Sequence, residues 1–377
     1  MKITFLCFDL SNNSLGRTAI LARALSKRYE IEIIGPAKNN QIWEPMKNSG
    51  LPIRVFPWRR LPSFAHVMKE MIRAIDGDIV YACKPRLSSY GVGLLSASGK
   101  PLILDIDDWE LGFFYRAGFW GRVGRFFNLS NPDGLPFTWL MEQRADDADA
   151  ITVSNKFLQI RFGGDLIYHC RDTNDLDPAR YDRNLVKLEL GLIDKKILMF
   201  LGTPRAHKGV DDLVEMMRLL KNPSAHLVIV GLGYSETKKF LDPELKKKIS
   251  LVPKVPFEKL GNYLASADVV VIPQRATRDT EGQMPAKIFD AMAMAKPVVS
   301  TKVSDIPQVL GKDGYLIEPD NPSRLAETVD HILENEKEAY TRGLNLRERC
   351  RQFYDSKIME EKLASVVKRA IVKNKLK

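Results

Sequence analysis

Cysteine is scarce in this chain. Cys7, Cys83, Cys170 and Cys350 are the only four in 377 residues, and no two stand at CxxC spacing. That argues against a disulfide framework and a cysteine-built zinc site, and it suits a reducing cytosol. Long apolar runs are missing as well. No stretch approaches the roughly 18 apolar residues of a spanning helix. The apolar run at the N-terminus stops at Asp9, too short for the core of a secretory signal. The five histidines are dispersed. No zinc spacing, RNP-type aromatic strand or recognition-helix signature is present, so nucleic acid is not an expected partner. Acids are outnumbered, 47 against 57 lysines and arginines, for a net charge of +10. Such an excess is either a solubilising surface or a sign of an anionic small molecule or membrane surface.

What is present is the composition of a globular protein, 45% hydrophobic and 28% charged. The length exceeds one ordinary core, which predicts two domains. ITFLCF, EIEIIGP, GDIVYAC, PLILDI and DAITVS read as buried strands, with RTAILARALSKRY at helical spacing between the first two. The theme restarts after the charged, irregular segment at about 179–195. KILMFLGT, HLVIVGLG, DVVVIPQ and PVVST are strands; GVDDLVEMMRLL, KIFDAMAMA and SRLAETVDHILEN are helices. Continuously apolar strands alternating with helices predict parallel sheets covered on both faces. The fold class expected is α/β, with two doubly wound domains at residues 1–185 and 186–355 and a basic helix at 356–377. Ligands are then expected beyond the carboxyl ends of the strands.

Two loops of the second half carry anion-binding character. FLGTPRAHKGVDD runs strand, loop, helix, and places Arg205, His207 and Lys208 beside free first-turn amides. The alternative is a plain turn with solvated bases. SNNSLGRTA, with Gly16 and Arg17, has similar character, and GLGYSE at 231–236 opens on Gly231. Neither is a dinucleotide fingerprint or a Walker loop. In TEGQMPAKIFDAMAMAKPVVST (280–301), Pro285 suits a first helical position. Gly282, Gln283 and Met284 can then bring N–H groups to an anion. Asp290, inside the helix, would repel phosphate but suits vicinal hydroxyls such as those of a ribose. The ligand this predicts is a nucleoside diphosphate; a solvated helix acid is the other reading of Asp290.

These residues resemble retaining glycosyltransferases of the GT-B fold, the group 1 or family 4-like enzymes with an E-x7-E motif. The matching segments are LGTPRAHKG, LVIVGLG, YLASADVVVIP, EGQMPAKIFDAMAMAKPVVST, VSDIPQVL and DGYLIEPDNPSRLAETV, with LILDIDDWE and ADDADAITVSN matching more loosely in the first half. The resemblance implies two Rossmann-like domains facing a cleft, an acceptor-binding first domain, a nucleotide-sugar-binding second domain and a last helix that crosses back to the first. It implies that Lys208 contacts the donor diphosphate. The family's loop arginine falls on Thr203, with Arg205 as the substitute. The second motif glutamate falls on Asp290, and the first on Gly282. Glu281 lies one residue off register, so either the loop lets Glu281 reach the donor sugar or that contact is absent. Pro285 and Lys287 resemble a proline-x-lysine variant of the motif.

The implied activity is transfer of a sugar from a nucleotide-sugar substrate to an acceptor hydroxyl, with retention and without a metal or cofactor. Helix end and Lys208 would stabilise the leaving diphosphate. The candidate catalytic set is Asp107, Asp108 and Glu281. Asp107 or Asp108 would orient or deprotonate the acceptor; capping of the next helix is the other reading. Residues 113–129 (FFYRAGFWGRVGRFFNL) mix aromatics with arginine, and residues 58–75 are basic and amphipathic. Both suit an anionic membrane surface and hence a glycan or lipid-linked acceptor, unless the phenylalanines are simply core. The expected location is cytoplasmic, peripheral on the membrane face. A nucleotide-sugar epimerase and an inactive GT-B scaffold subunit are the competing readings.

Overall fold

The computed structural model describes residues 1–96, 99–114, 119–232 and 243–377. Part of the aromatic–basic segment (115–118) and most of the loop that opens at Gly231 (233–236) lie outside the described residues. Chain contacts divide the protein into two compact units. Unit 1 is residues 1–169 with 282–284 and 357–377; unit 2 is residues 170–281 with 285–356.

Unit 1 holds seven strands: β1 (Lys2–Cys7), β2 (Glu30–Ala37), β3 (Ile53–Pro57), β4 (Ile79–Cys83), β5 (Leu102–Ile106), β6 (Ala150–Val153) and β7 (Asp165–Leu166). They lie in the order β3-β2-β1-β4-β5-β6-β7, all parallel. Strands β4 and β5 are buried at every position because helices cover both faces, which is why their sequences read as unbroken apolar runs. Helix Phe64–Ala74 buries Phe64, Val67, Met68 and Met71, the i, i+3, i+4, i+7 stripe that packs a helix on a sheet.

Unit 2 holds β8 (Lys196–Leu201), β9 (Ala225–Leu232), β10 (Ile249–Pro253), β11 (Val269–Ile272), β12 (Val298–Thr301) and β13 (Tyr315–Ile317). Their order is β10-β9-β8-β11-β12-β13, again parallel. Helix Val210–Leu219 buries Leu213, Met216 and Met217 on it. Helix Pro322–Glu334 adds Leu325, Val329 and Ile332, and the Asn321 side chain caps it by accepting from Arg324 N at 2.9 Å. Both sheets therefore have the Rossmann order, with a reversal between β1 and β4 in one and between β8 and β11 in the other.

The basic C-terminal helix, Ser356–Lys375, spends its charge on unit 1. Glu360 pairs with Arg28 at 2.8 Å, Arg369 with Asp165 at 2.5 Å, and Lys377 with Asp149 at 2.7 Å. Among the described residues no helix is long and apolar enough to cross a membrane.

Candidate active site

Ligands of open α/β sheets bind where the strand order reverses, beyond the carboxyl ends. In unit 2 that point lies past β8 and β11. The chain leaves β8 at Gly202, φ +111°, and a β-carbon there would lie 3.7 Å from Lys208 Nζ and 3.9 Å from Lys287 Nζ. Two ammonium groups thus converge on one open backbone position. Gly231, φ +115°, the next-to-last residue of β9, lies beside it, and a β-carbon on it would stand 2.8 Å from the Gly202 carbonyl carbon. Gly209 (φ +66°) seats the following helix: its missing side chain would meet the Pro273 oxygen at 1.9 Å, just past β11.

Lys208 donates to the Thr203 carbonyl at 3.0 Å. Lys287 Nζ is buried, makes no hydrogen bond to a described residue, and sits 3.6 Å from the Phe200 ring centroid. Burial, then the charge of Lys208, pushes its pKa well below the usual lysine range. A desolvated cation beside a second cation is a receptor for an anion. Arg205 is exposed and His207 buried in the same turn. The helix that follows opens on Asp211 and Asp212, which pair with Arg275 at 3.6 and 3.0 Å. Its dipole already faces acids, so the attraction for an anion rests on the two lysines.

The second expected helix end differs from the sequence reading. The helix begins at Lys287, two residues after Pro285, and runs only to Ala293. The amides of Ile288 and Phe289 are taken by Pro285 and Ala286 at 3.2 and 3.1 Å, so this first turn closes on itself. Asp290 is buried and its carboxylate is gripped by Arg171: Nε donates to Oδ1, and Nη2 to Oδ2 at 3.1 Å. It is not a solvated helix acid. Glu281 is exposed and its carboxylate forms no hydrogen bond or ion pair with a described residue; Ser304 Oγ donates to its carbonyl at 3.0 Å.

Gly282, Gln283 and Met284 group with unit 1. The Gly282 carbonyl accepts from Trp109 N at 3.2 Å, Gln283 Nε2 donates to Asp108 Oδ1 at 3.2 Å, and Met284 is buried. Beyond β5, Asp107 and Asp108 join Glu110 around one ammonium. Lys84 Nζ lies 2.9 Å from Asp107, 2.6 Å from Asp108 and 2.6 Å from Glu110. Arg86 closes the far side of Glu110. Burial, reinforced by Asp108, lifts the Asp107 carboxyl to about 7 against the pull of Lys84. Burial also opposes ionisation of Glu110, but Arg86 and Lys84 outweigh it and hold that carboxyl at about 2. The three carboxylates come close enough to hold a cation, and the Lys84 ammonium supplies the positive charge among them. Lys84 itself has φ +73°, an outlier for a side chain of its size, fixed by this cage.

The N-terminal loop passes directly into a helix. Gly16 lies inside helix Ser14–Leu25, and Arg17 turns into the core. It pairs with Asp105 at 2.8 Å and donates to the carbonyls of Ile167 and Tyr168 at 2.9 and 3.2 Å. Lys84, Arg86, Glu110 and Arg171 escaped the sequence reading because each meets its charge partners across 23 residues or more.

Two Rossmann-ordered sheets in one chain, with cations over the second switch point, define a GT-B fold. Over residues 195–335 the sequence matches the family model described as glycosyl transferases group 1. It is 26% identical over 159 residues to an uncharacterized glycosyltransferase of Methanocaldococcus jannaschii, 41% of this chain and 43% of the relative. A GDP-mannose-dependent monoacylated alpha-(1-6)-phosphatidylinositol monomannoside mannosyltransferase of Corynebacterium glutamicum is 24% identical over 343 residues, 84% of each chain. The chain matches less than half the length of the first curated relatives, 43% and 42%. Among solved structures, Anabaena HepE in complex with UDP-glucose superposes with a TM-score of 0.73 at 17% identity, covering 98% of this chain and 99% of that one. At that identity the likeness is one of fold.

Proposed function

We propose that this chain is a nucleotide-sugar-dependent glycosyltransferase that moves a hexose to an acceptor hydroxyl. The carrying observation is the convergence of Lys208 and Lys287 within 4 Å of the empty side of Gly202. A leaving nucleoside diphosphate develops negative charge, and two lysines held at one backbone opening stabilise it without reorganisation. Gly231, Arg205 and His207 border the same loop, and Asp290, steadied by Arg171, is the acid for the ribose. Asp107 is the base candidate: a carboxyl near 7 can take a proton from a hydroxyl and release it again. Asp108 and Glu281 are auxiliary candidates, the first as holder of the Asp107 cage, the second as a donor-sugar contact.

Retention is the stereochemical reading, supported by family likeness and checked by the anomeric NMR signal of the product. The relatives name GDP-mannose and UDP-glucose, so GDP and UDP head the nucleotide panel. Thermal unfolding is measured with UDP, GDP, ADP, TDP and CMP. A ligand at about 100 times its Kd adds roughly 2.7 kcal/mol. The expected outcome is one clear winner, lost in Lys208→Ala and Asp290→Ala. No shift with any nucleotide would remove the donor-site reading. It would promote an inactive scaffold, which a glycine at the first motif position favours.

We further propose a glycan or lipid-linked acceptor reached from an anionic membrane surface. Trp120, Phe126, Phe127 and Leu129 are 81%, 48%, 73% and 59% exposed, and Arg125 lies exposed among them. Aromatic bodies beside a cation that forms no ion pair with a described residue match the interface of an anionic bilayer.

A further inference from the structure

Unit 1 carries a second constructed site that no part of the donor reading uses. A cavity of about 370 Å3 opens beyond its own switch point, between β1 and β4. That is within the size range of small-ligand sites, about 300–1,000 Å3. Five strand ends contribute to it in turn: Phe8 and Asp9 after β1, Lys38 after β2, Trp58 and Arg60 after β3, Arg86 after β4, and Phe114 beyond β5.

The charges on its wall are not equivalent. Arg86 is neutralised by Glu110. Asp9 is saturated by Ser11 N at 2.9 Å and Asn12 Nδ2 at 2.8 Å, and Asp133 accepts from Ser88 Oγ at 2.6 Å, with burial pushing its carboxyl upward. Lys38 and Arg60 form no ion pair with a described residue. Lys38 is held over the Trp58 ring, 5.6 Å from its centroid, and Arg60 donates to Ser130 Oγ at 3.0 Å. A cation positioned by a ring and one positioned by a hydroxyl both keep their charge for an incoming group. Amide side chains of Asn12, Asn128 and Asn131 supply hydroxyl partners around them.

We infer that this cavity is a subsite for a sugar bearing an anionic group, a carboxylate or a phosphate, with Lys38 and Arg60 as its receptors. Calling that sugar part of the acceptor rests on the glycosyltransferase reading; the anion preference does not.

The test titrates the full chain by NMR with methyl β-D-glucuronide, glucose 1-phosphate and neutral methyl β-D-glucoside. At least one anionic probe is expected to bind about tenfold tighter than the glucoside, and the better anion identifies the source as acidic sugar or sugar phosphate. Lys38→Gln/Arg60→Gln should bring all three within about twofold. Lys208→Ala/Lys287→Met, which strips the unit 2 cations, should leave the preference intact. Equal binding of the neutral probe, no binding of either anion, or a preference that survives the first double variant or vanishes in the second would overturn the proposal. Nucleotide-induced thermal shifts on the same proteins separate the two readings. A failed donor site removes those shifts from the wild type, and a failed anion subsite leaves them in place.

Discussion

Asp107 is a buried carboxyl that ionises near 7. If it is the base, kcat/KM should rise with pH along a limb centred near 7, and Asp107→Asn should abolish that limb with a loss of about 10²–10⁴-fold. Stability should move the other way. Between the ordinary aspartate range and 7 the folded state holds a proton that the unfolded chain has lost, so stability falls as pH rises through that window. Asp107→Asn should flatten this decline in urea titrations at successive pH values. Lys287 makes the complementary case. Its ammonium is buried, makes no hydrogen bond to a described residue and is repelled by Lys208. Lys287→Met should therefore raise the unfolding free energy, by about 1 kcal/mol or more, while erasing the nucleotide-induced thermal shift. A variant less stable than wild type and still responsive to nucleotide would contradict the cradle. The types and positions of Lys208, Asp107 and Asp290 were legible in the sequence because loop, strand-end and motif patterns flag them. The charge partners of Asp107 and Asp290 were not, since Lys84 and Arg171 reach them from 23 and 119 residues away.

At the scale of elements, burial decides what a sequence discloses. Strands β1, β4, β5, β8, β11 and β12 were legible because almost every position is buried. Strand β3 escaped because it lies at the sheet edge, carries exposed Arg54 and ends on Pro57. Strands β10 and β13 sit at the edges of the other sheet, and the latter is only three residues long. Helix Lys287–Ala293 came out shorter than its apolar pattern, because Ala295 takes φ +53° and turns the chain toward β12. This short helix is fixed by one pair. Arg171→Met should leave the buried Asp290 carboxylate uncompensated and cost about 3–5 kcal/mol. Arg171→Met/Asp290→Met should recover much of that loss in chemical denaturation. If the double variant is as unstable as the single, packing rather than charge holds the element.

At the scale of the whole molecule, the net charge of +10 has two destinations. Part is spent within the protein, since Arg369 of the C-terminal helix and Lys377 just after it pair with Asp165 and Asp149. The remainder includes Arg59, Arg60 and Arg125, exposed on unit 1 along with Trp120, Phe127 and Leu129. An anionic bilayer contributes about 1 kcal/mol per lysine or arginine at its surface, and a buried aromatic adds an apolar share that salt does not screen. The protein should therefore sediment with phosphatidylglycerol vesicles and stay in the supernatant with phosphatidylcholine alone. Trp120→Ala/Phe127→Ala should weaken binding while keeping its salt dependence, because the arginines remain. Arg59→Gln/Arg125→Gln should weaken it and flatten the dependence, since the Debye length of about 8 Å at physiological salt governs only the charged share. Equal recovery on both lipids would mean that the apolar patch binds without charge selection. No recovery on either would return the exposed aromatics to an uncommitted surface and leave the glycan acceptor without a membrane address.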